Sequence, residues 1–242
     1  MIARLVAGEI RKLRGSLALV LMFVAPGLLG LLGFIVPFNM DRPLQWGEVL
    51  GLMTLPLWVS FVMPMAVAAL AALFGQIEYR GRAWDHLLAL PVARWKIYAA
   101  KAVVMAAMAT LMTAFAFLFA AAGAFIAGTI VGLVPEGDFE VGKLMLIVLK
   151  IAASALFPVA ILTWTALRFA AFVVPLAVGI GGALVSVAML IMQTDRADWF
   201  PWVLPTLLGR YPNEDWYVWY GLAGGLAVFA LMIVDLVRRE MR

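Results

Sequence analysis

Residues 76–101, QIEYRGRAWDHLLALPVARWKIYAAK, hold the densest set of reactive side chains in the chain. They carry Arg80, Arg82, Arg94, Lys96 and Lys101, the acids Glu78 and Asp85, and the single histidine, His86. Such groups serve acid–base catalysis, metal binding or the gripping of a partner. The first two are poorly supplied. One histidine and no cysteine leave few metal sites and no thiol chemistry, and no H-E-x-x-H or G-x-S-x-G motif occurs. The G-x-x-x-x-G-K-[ST] phosphate loop is also missing, so the chain has no means of holding ATP in the Walker manner. Docking remains. After a polar turn at residues 76–81, a short helix is predicted, ended by Pro91. Trp84, Leu87 and Leu88 share one face of it, with Arg82, Asp85 and His86 elsewhere. One aromatic and two leucines suit a groove on a soluble partner. The same spacing also fits an amphipathic helix resting on a membrane surface.

Isolated polar residues in apolar surroundings are the other candidates. Glu9 falls within the apolar stripe of the first helix, which predicts either a carboxylate that snorkels or pairs with Lys12, or contact with a partner protein or neighbouring loop. Lys150 is a charge inside a hydrophobic run, either lining a path or snorkelling to the nearer surface. Asp235 stands beside Arg238 and Arg239, which predicts local pairing. Thr110 and Thr113, with Thr163 and Thr165, can bond back to their own helix carbonyls and mark at most a weak polar path.

The elements that position these residues follow from composition. The chain is 66% hydrophobic and 13% charged over 242 residues, about half the charge of a soluble domain. No soluble core of this size buries so many apolar residues, so the bilayer must be the solvent. The excess of basic residues is explained by membrane orientation, with no need for nucleic acid as a partner.

A single all-α transmembrane domain, residues 1–242, is predicted. Residues 1–16 form an amphipathic interfacial helix with Arg4 and Arg11 opposite the stripe of Ile2, Leu5, Val6, Ile10 and Leu13. The apolar run that follows is too long for a signal peptide and lacks a cleavage site, so it reads as a retained span. Six spans are placed at 17–37, 50–74, 98–131, 143–166, 170–192 and 216–236, since ~20 residues cross a bilayer. Residues 75–97 are a coupling segment and 194–215 a re-entrant or interfacial hairpin broken by Pro201 and Pro205. With the N-terminus in the cytoplasm, thirteen Lys and Arg lie inside and four outside, so both termini and the 76–101 island are predicted to be cytoplasmic. Prolines 26, 56, 64, 158 and 175 predict kinks. Gly221-x-x-x-Gly225 permits close helix approach, within the bundle or between subunits.

The run E-Y-R-G-R-A-W-D-H-L-L-A-L-P-V-A-R-W-K-I-Y-A-A-K resembles the region between the second and third spans of ABC-2-type permeases. The matching features are Glu78, Gly81, Trp84, Leu87, Leu88, Pro91, Arg94 and Lys101. The opening E-I-R-K-L-R-G-S, with Glu9, Lys12, Arg14 and Ser16, is similar to that family's connecting helix. In size and motifs the chain looks most like the bacteriocin-immunity and peptide-export subgroup, without the family's large external domain. The resemblance implies a permease in the cytoplasmic membrane of a bacterium, working with a second permease, identical or homologous, and with two separate ATPase subunits. ATP and Mg2+ would be bound by those subunits, with no cofactor on this chain. It further implies a coupling helix and ATPase interface at Glu78, Arg80, Gly81, Arg82, Trp84, Asp85, Leu87, Leu88, Pro91 and Arg94. Two other readings stay open: a non-transport anchor or sensor for an ATPase, and an unrelated six-span channel or enzyme.

Overall fold

The computed structural model describes residues 2–79, 92–192, 197–210 and 215–238. Among them, six helices are long and apolar enough to cross a membrane, the number the hydropathy predicts. A short helix α1 (Ile2–Leu13) precedes them. The six are α2 (Leu17–Ile35, extended by a 3-10 turn to Asn39), α3 (Glu48–Tyr79), α4 (Arg94–Val131), α5 (Val141–Arg168), α6 (Val173–Ile191) and α8 (Trp216–Arg238). Between the last two lies α7 (Leu204–Arg210), a single helical stretch.

The turn from α1 into α2 is built by two residues. Gly15 takes a φ of +76°, a left-handed conformation that costs glycine little, and Ser16 caps α2 by accepting a hydrogen bond from the Leu19 amide. The apolar stripe of α1 is divided between two environments. Glu9 and Leu13 are buried against the bundle, while Ile2 and Ile10 are exposed.

α3 departs from ideal helix where its sequence demands it. Pro56 supplies no amide, and π-helical turns occupy Glu48–Thr54 and Trp58–Val62 on either side. The buried Thr54 hydroxyl satisfies part of the disturbed ladder by donating to the Val49 carbonyl at 2.7 Å. At the other end α3 continues to Tyr79, so residues 76–79 form the last helical turn where the sequence predicts a polar turn. Their side chains explain the difference. The Tyr79 hydroxyl donates to the Leu167 carbonyl on α5 at 2.8 Å, and Glu78 is held in the ionic cluster described below.

The helices meet through small residues. α2 lies along α4, where a Cβ on Gly123 would come within 2.2 Å of the Gly30 carbonyl oxygen. α8 lies along α5 in the same manner, with Gly221 against the backbone of Ser154 and Gly225 against that of Leu156. The Gly221-x-x-x-Gly225 spacing thus serves a contact within the bundle. α6 packs on α3 through Gly179 and Ala68. The segment 197–210 folds against this assembly, burying Trp202, Val203 and Leu204, with the Trp202 indole over Gly182.

At 38 residues α4 is about 57 Å long by helical rise, roughly twice the hydrocarbon thickness. Its first turns extend alongside α1 at the end of the bundle that carries the N-terminus. There they bring Lys101 to the carboxylates of two other elements.

Candidate functional site

Four charged side chains from three elements converge where α1, the end of α3 and the start of α4 meet. On α1, Glu9 and Lys12 are three residues apart and share a face. On α3, Glu78 lies one turn beyond Phe74. On α4, Lys101 sits two turns into the helix within the run I-Y-A-A-K-A-V-V. Lys101 Nζ lies 2.7 Å from Glu78 Oε1 and 2.9 Å from Glu9 Oε2. Lys12 Nζ lies 2.9 Å from Glu9 Oε1 and 2.9 Å from Glu78 Oε1. The four form a closed ring, lysine and glutamate alternating, with net charge zero.

Burial makes the ring consequential. The side chain of Lys101 is 0% exposed, those of Glu78 and Glu9 1% and 5%, and Lys12 at 29% forms the wet rim. Ions this far from water persist only when paired and hydrogen-bonded. Phe74 adds its ring face 5.5 Å from the Lys101 ammonium, a favourable position for a cation. One acceptor is left over. Glu78 Oε2 is buried with no hydrogen-bond partner among the described residues.

Lys12, like Glu9, lies on α1, outside the spans. Burial disfavours its charged form, but the hydrogen bond to Glu78 and the charges of Glu9 and Glu78 outweigh it, so its pKa is raised above the ordinary 10.5. A raised lysine pKa contributes stability that is fully present below 10.5 and is lost as pH climbs through the higher value. Lys12 therefore keeps its link to both glutamates across physiological pH.

The ring answers the puzzle of a carboxylate in an apolar stripe. Glu9 pairs with Lys12, as its spacing predicts, and also with Lys101, 92 residues along the chain. The sequence reading leaves Lys101 among the residues of the island. Its burial was signalled by apolar residues on both sides, since a lone charge in such a run must find a partner. Of the remaining interface residues, Arg94 is exposed at the start of α4 and Arg14 is exposed in the turn after α1. Arg80, Gly81, Arg82, Trp84, Asp85, Leu87, Leu88 and Pro91, with the coupling helix predicted on them, lie outside the described residues. Their flanks do not: Glu78 and Lys101, both in the ring, stand on either side of them.

A second polar contact lies at the same end. Asp235 accepts from the Trp164 indole at 2.9 Å and pairs with Arg168, both on α5; of the two neighbours the sequence suggests for it, Arg239 lies outside the described residues. The close approach of α8 to α5 at Gly221 and Gly225 puts the α5 side chains within reach.

The residues predicted along a path are dispersed. Thr113 is buried between α3 and α4, accepting from the Trp58 indole at 3.2 Å and donating to the Ala109 carbonyl. Thr110 donates to the Ala106 carbonyl. Lys150 pairs with Asp215 at 2.6 Å, just before α8 begins.

No curated protein and no solved structure matches the chain. Residues 5–186, which include most of α1, the charged ring, four of the six long helices and most of a fifth, match the family described as ABC-2 family transporter protein. With a membrane bundle of this form and a match over most of its length, the chain belongs to the ABC-2 family of transporter proteins, as a multi-pass membrane permease.

Proposed function

We propose that the chain is the permease subunit of an ATP-driven exporter of peptides, lipids or hydrophobic compounds. Two separate ATPase subunits would grip residues 75–97 from the cytoplasm, and a second permease, identical or homologous, would complete the path. Within the family the size and motifs favour the bacteriocin-immunity and peptide-export subgroup. The observation that carries the reading is the charged ring. It ties the elements before and after residues 80–91 to each other and to α1, so a push on that segment reaches α1, α3 and α4 together. A motor shifts a transporter only through contacts that differ between its states, and a rigid junction at the docking segment is where such contacts would act. The apolar spans, with few charges, suit amphipathic cargo better than a proton relay.

Affinity purification from native membranes in mild detergent tests this directly. Recovery of a Walker-motif ATPase is the expected result; its absence, with other membrane complexes preserved, would favour a channel or enzyme. Recovery of an ATPase whose hydrolysis is unaffected by any candidate cargo in liposomes would favour the anchor or sensor. Within the docking segment, Trp84→Ala is expected to cut ATPase association by about tenfold or more, as truncating an aromatic anchor does. Unchanged association and transport would remove Trp84 from the interface.

Lys150 is read as a brace between α5 and the start of α8, because its partner Asp215 is mostly exposed. Exposed pairs are worth ~0–1 kcal/mol. Lys150→Met is thus expected to change transport by less than about fivefold, measured in proteoliposomes. A larger loss with normal folding would return Lys150 to the path.

A further inference from the structure

The apolar stripe of α1 forms one wall of an apolar groove of about 340 Å³. Val6 and Ile10 of α1, Leu19 and Met22 of α2, and Ala107 and Leu111 of α4 line it, and Arg14 is the only charged residue in the lining. The groove opens on the perimeter of the bundle, since Ile10, Val103 and Leu111 are all exposed. Along α4 it runs from Val103 to Leu111, about 12 Å by helical rise, from the level of α1 toward the middle of the span. Arg14 sits where the interfacial helix turns into α2, the depth at which lipid headgroups lie. Among the described residues Arg14, Arg11 and Arg4 enter no ion pair, whereas Lys12 is taken up by the ring.

We propose that this groove is a binding site for an anionic phospholipid, with an acyl chain in the groove and the phosphate on the Arg14 guanidinium. The lining gives an apolar slot with one cation at its mouth, complementary to a lipid tail beneath a phosphate. Gly15, by allowing the sharp turn between α1 and α2, sets the angle that opens the slot. Ala107 is exposed and small, so the floor is shallow enough for a chain to lie across it. The bound lipid would fill the space between α1, α2 and α4. The site stands on the groove and its charge, and it does not depend on which cargo the protein carries.

The test uses the full chain, purified in detergent, delipidated and titrated with phosphatidylglycerol or phosphatidylcholine of the same chain length, with adducts counted by native mass spectrometry. Wild type is expected to bind phosphatidylglycerol about fivefold tighter, the usual effect of one basic residue near an anionic headgroup. Arg14→Gln should abolish that preference while keeping a weak adduct with either lipid. Ala107→Trp should remove the groove adduct of both, whereas Leu118→Trp, farther along α4 on an exposed position, should change neither. Thermal unfolding of each variant separates lost binding from lost fold, and Arg14, exposed in a turn, supplies a variant whose fold is not at risk. Retention of the preference by Arg14→Gln would overturn the proposal. So would an Ala107→Trp variant that keeps its lipid adducts but changes oligomeric state, which would assign the groove to a second copy of the chain.

Discussion

Replacing Lys101 with methionine is expected to destabilise the protein by about 3–5 kcal/mol, the usual result of removing one partner from a buried ionic group. The wild-type ring is neutral, two lysines against two glutamates, and methionine leaves both glutamates facing Lys12 alone. Glu9 and Glu78 are too deeply buried for water to take over the lost interaction. The length of the side chain is nearly kept, so the loss reports charge more than volume. Restoring neutrality should restore stability. In Lys101→Met/Glu9→Gln the remaining pair is Lys12 with Glu78, and the double variant is expected to regain about 1–3 kcal/mol, the range of coupling seen between groups in contact. Unfolding in detergent, followed by intrinsic fluorescence, would measure all three proteins. If Lys101→Met unfolds like the wild type, the ring is not the junction described here. If the double variant is worse than the single, charge balance is not what holds it.

The same pair of variants bears on coupling. A stable double variant lacks the Glu9–Lys101 link between α1 and α4 but keeps Lys12 bonded to Glu78, joining α1 to α3. Should its ATPase bind normally but fail to respond to cargo, the link to α4 is the route by which the docking segment acts. A normal response would place that route along α3.

How much of this was legible in the sequence depends on whether the signal was local. Hydropathy marked six helices because each apolar run carries its own evidence. The amphipathic stripe of residues 1–16 marked α1 for the same reason. Glu9 was visible as an anomaly within that stripe, yet its partner Lys101 is 92 residues away, and nothing in the local pattern of either names the other. The contact of Asp235 with Arg168 on a neighbouring helix is equally non-local, set by helix packing and not by sequence neighbours. Residues 76–79 were polar enough to suggest a turn. They remain helical because Glu78 and Tyr79 each find a buried partner on another element, Lys101 on α4 and the Leu167 carbonyl on α5. The π-helical turns of α3 were foreshadowed by Pro56, although proline alone states only that the ladder must change and leaves open how.

Gly123→Ala should be the most damaging single-carbon change in the membrane region. A Cβ there would lie 2.2 Å from the Gly30 carbonyl oxygen and 2.8 Å from the Phe34 amide nitrogen, both backbone atoms of α2. Backbone cannot swing aside as a flexible side chain does, so α2 and α4 must move apart along their shared face. Overpacking costs ~1–3 kcal/mol where side chains can adjust, and the upper end or more is expected here. Gly27→Ala on the same α2 is the contrasting case. Nothing lies within 4 Å of its added carbon, and alanine is favoured over glycine in a helix interior by up to ~1 kcal/mol, so that variant should be neutral or more stable. Comparing the two unfolding midpoints separates contact from propensity, since both substitutions add the same atom to a helix. A Gly123→Ala protein as stable as Gly27→Ala would mean that α2 and α4 are not in close contact. The consequence reaches the ring, because α1 leads directly into α2 while Lys101 rides on α4. Spreading that helix pair would pull Glu9 away from Lys101, so Gly123→Ala combined with Lys101→Met should cost less than the sum of the two.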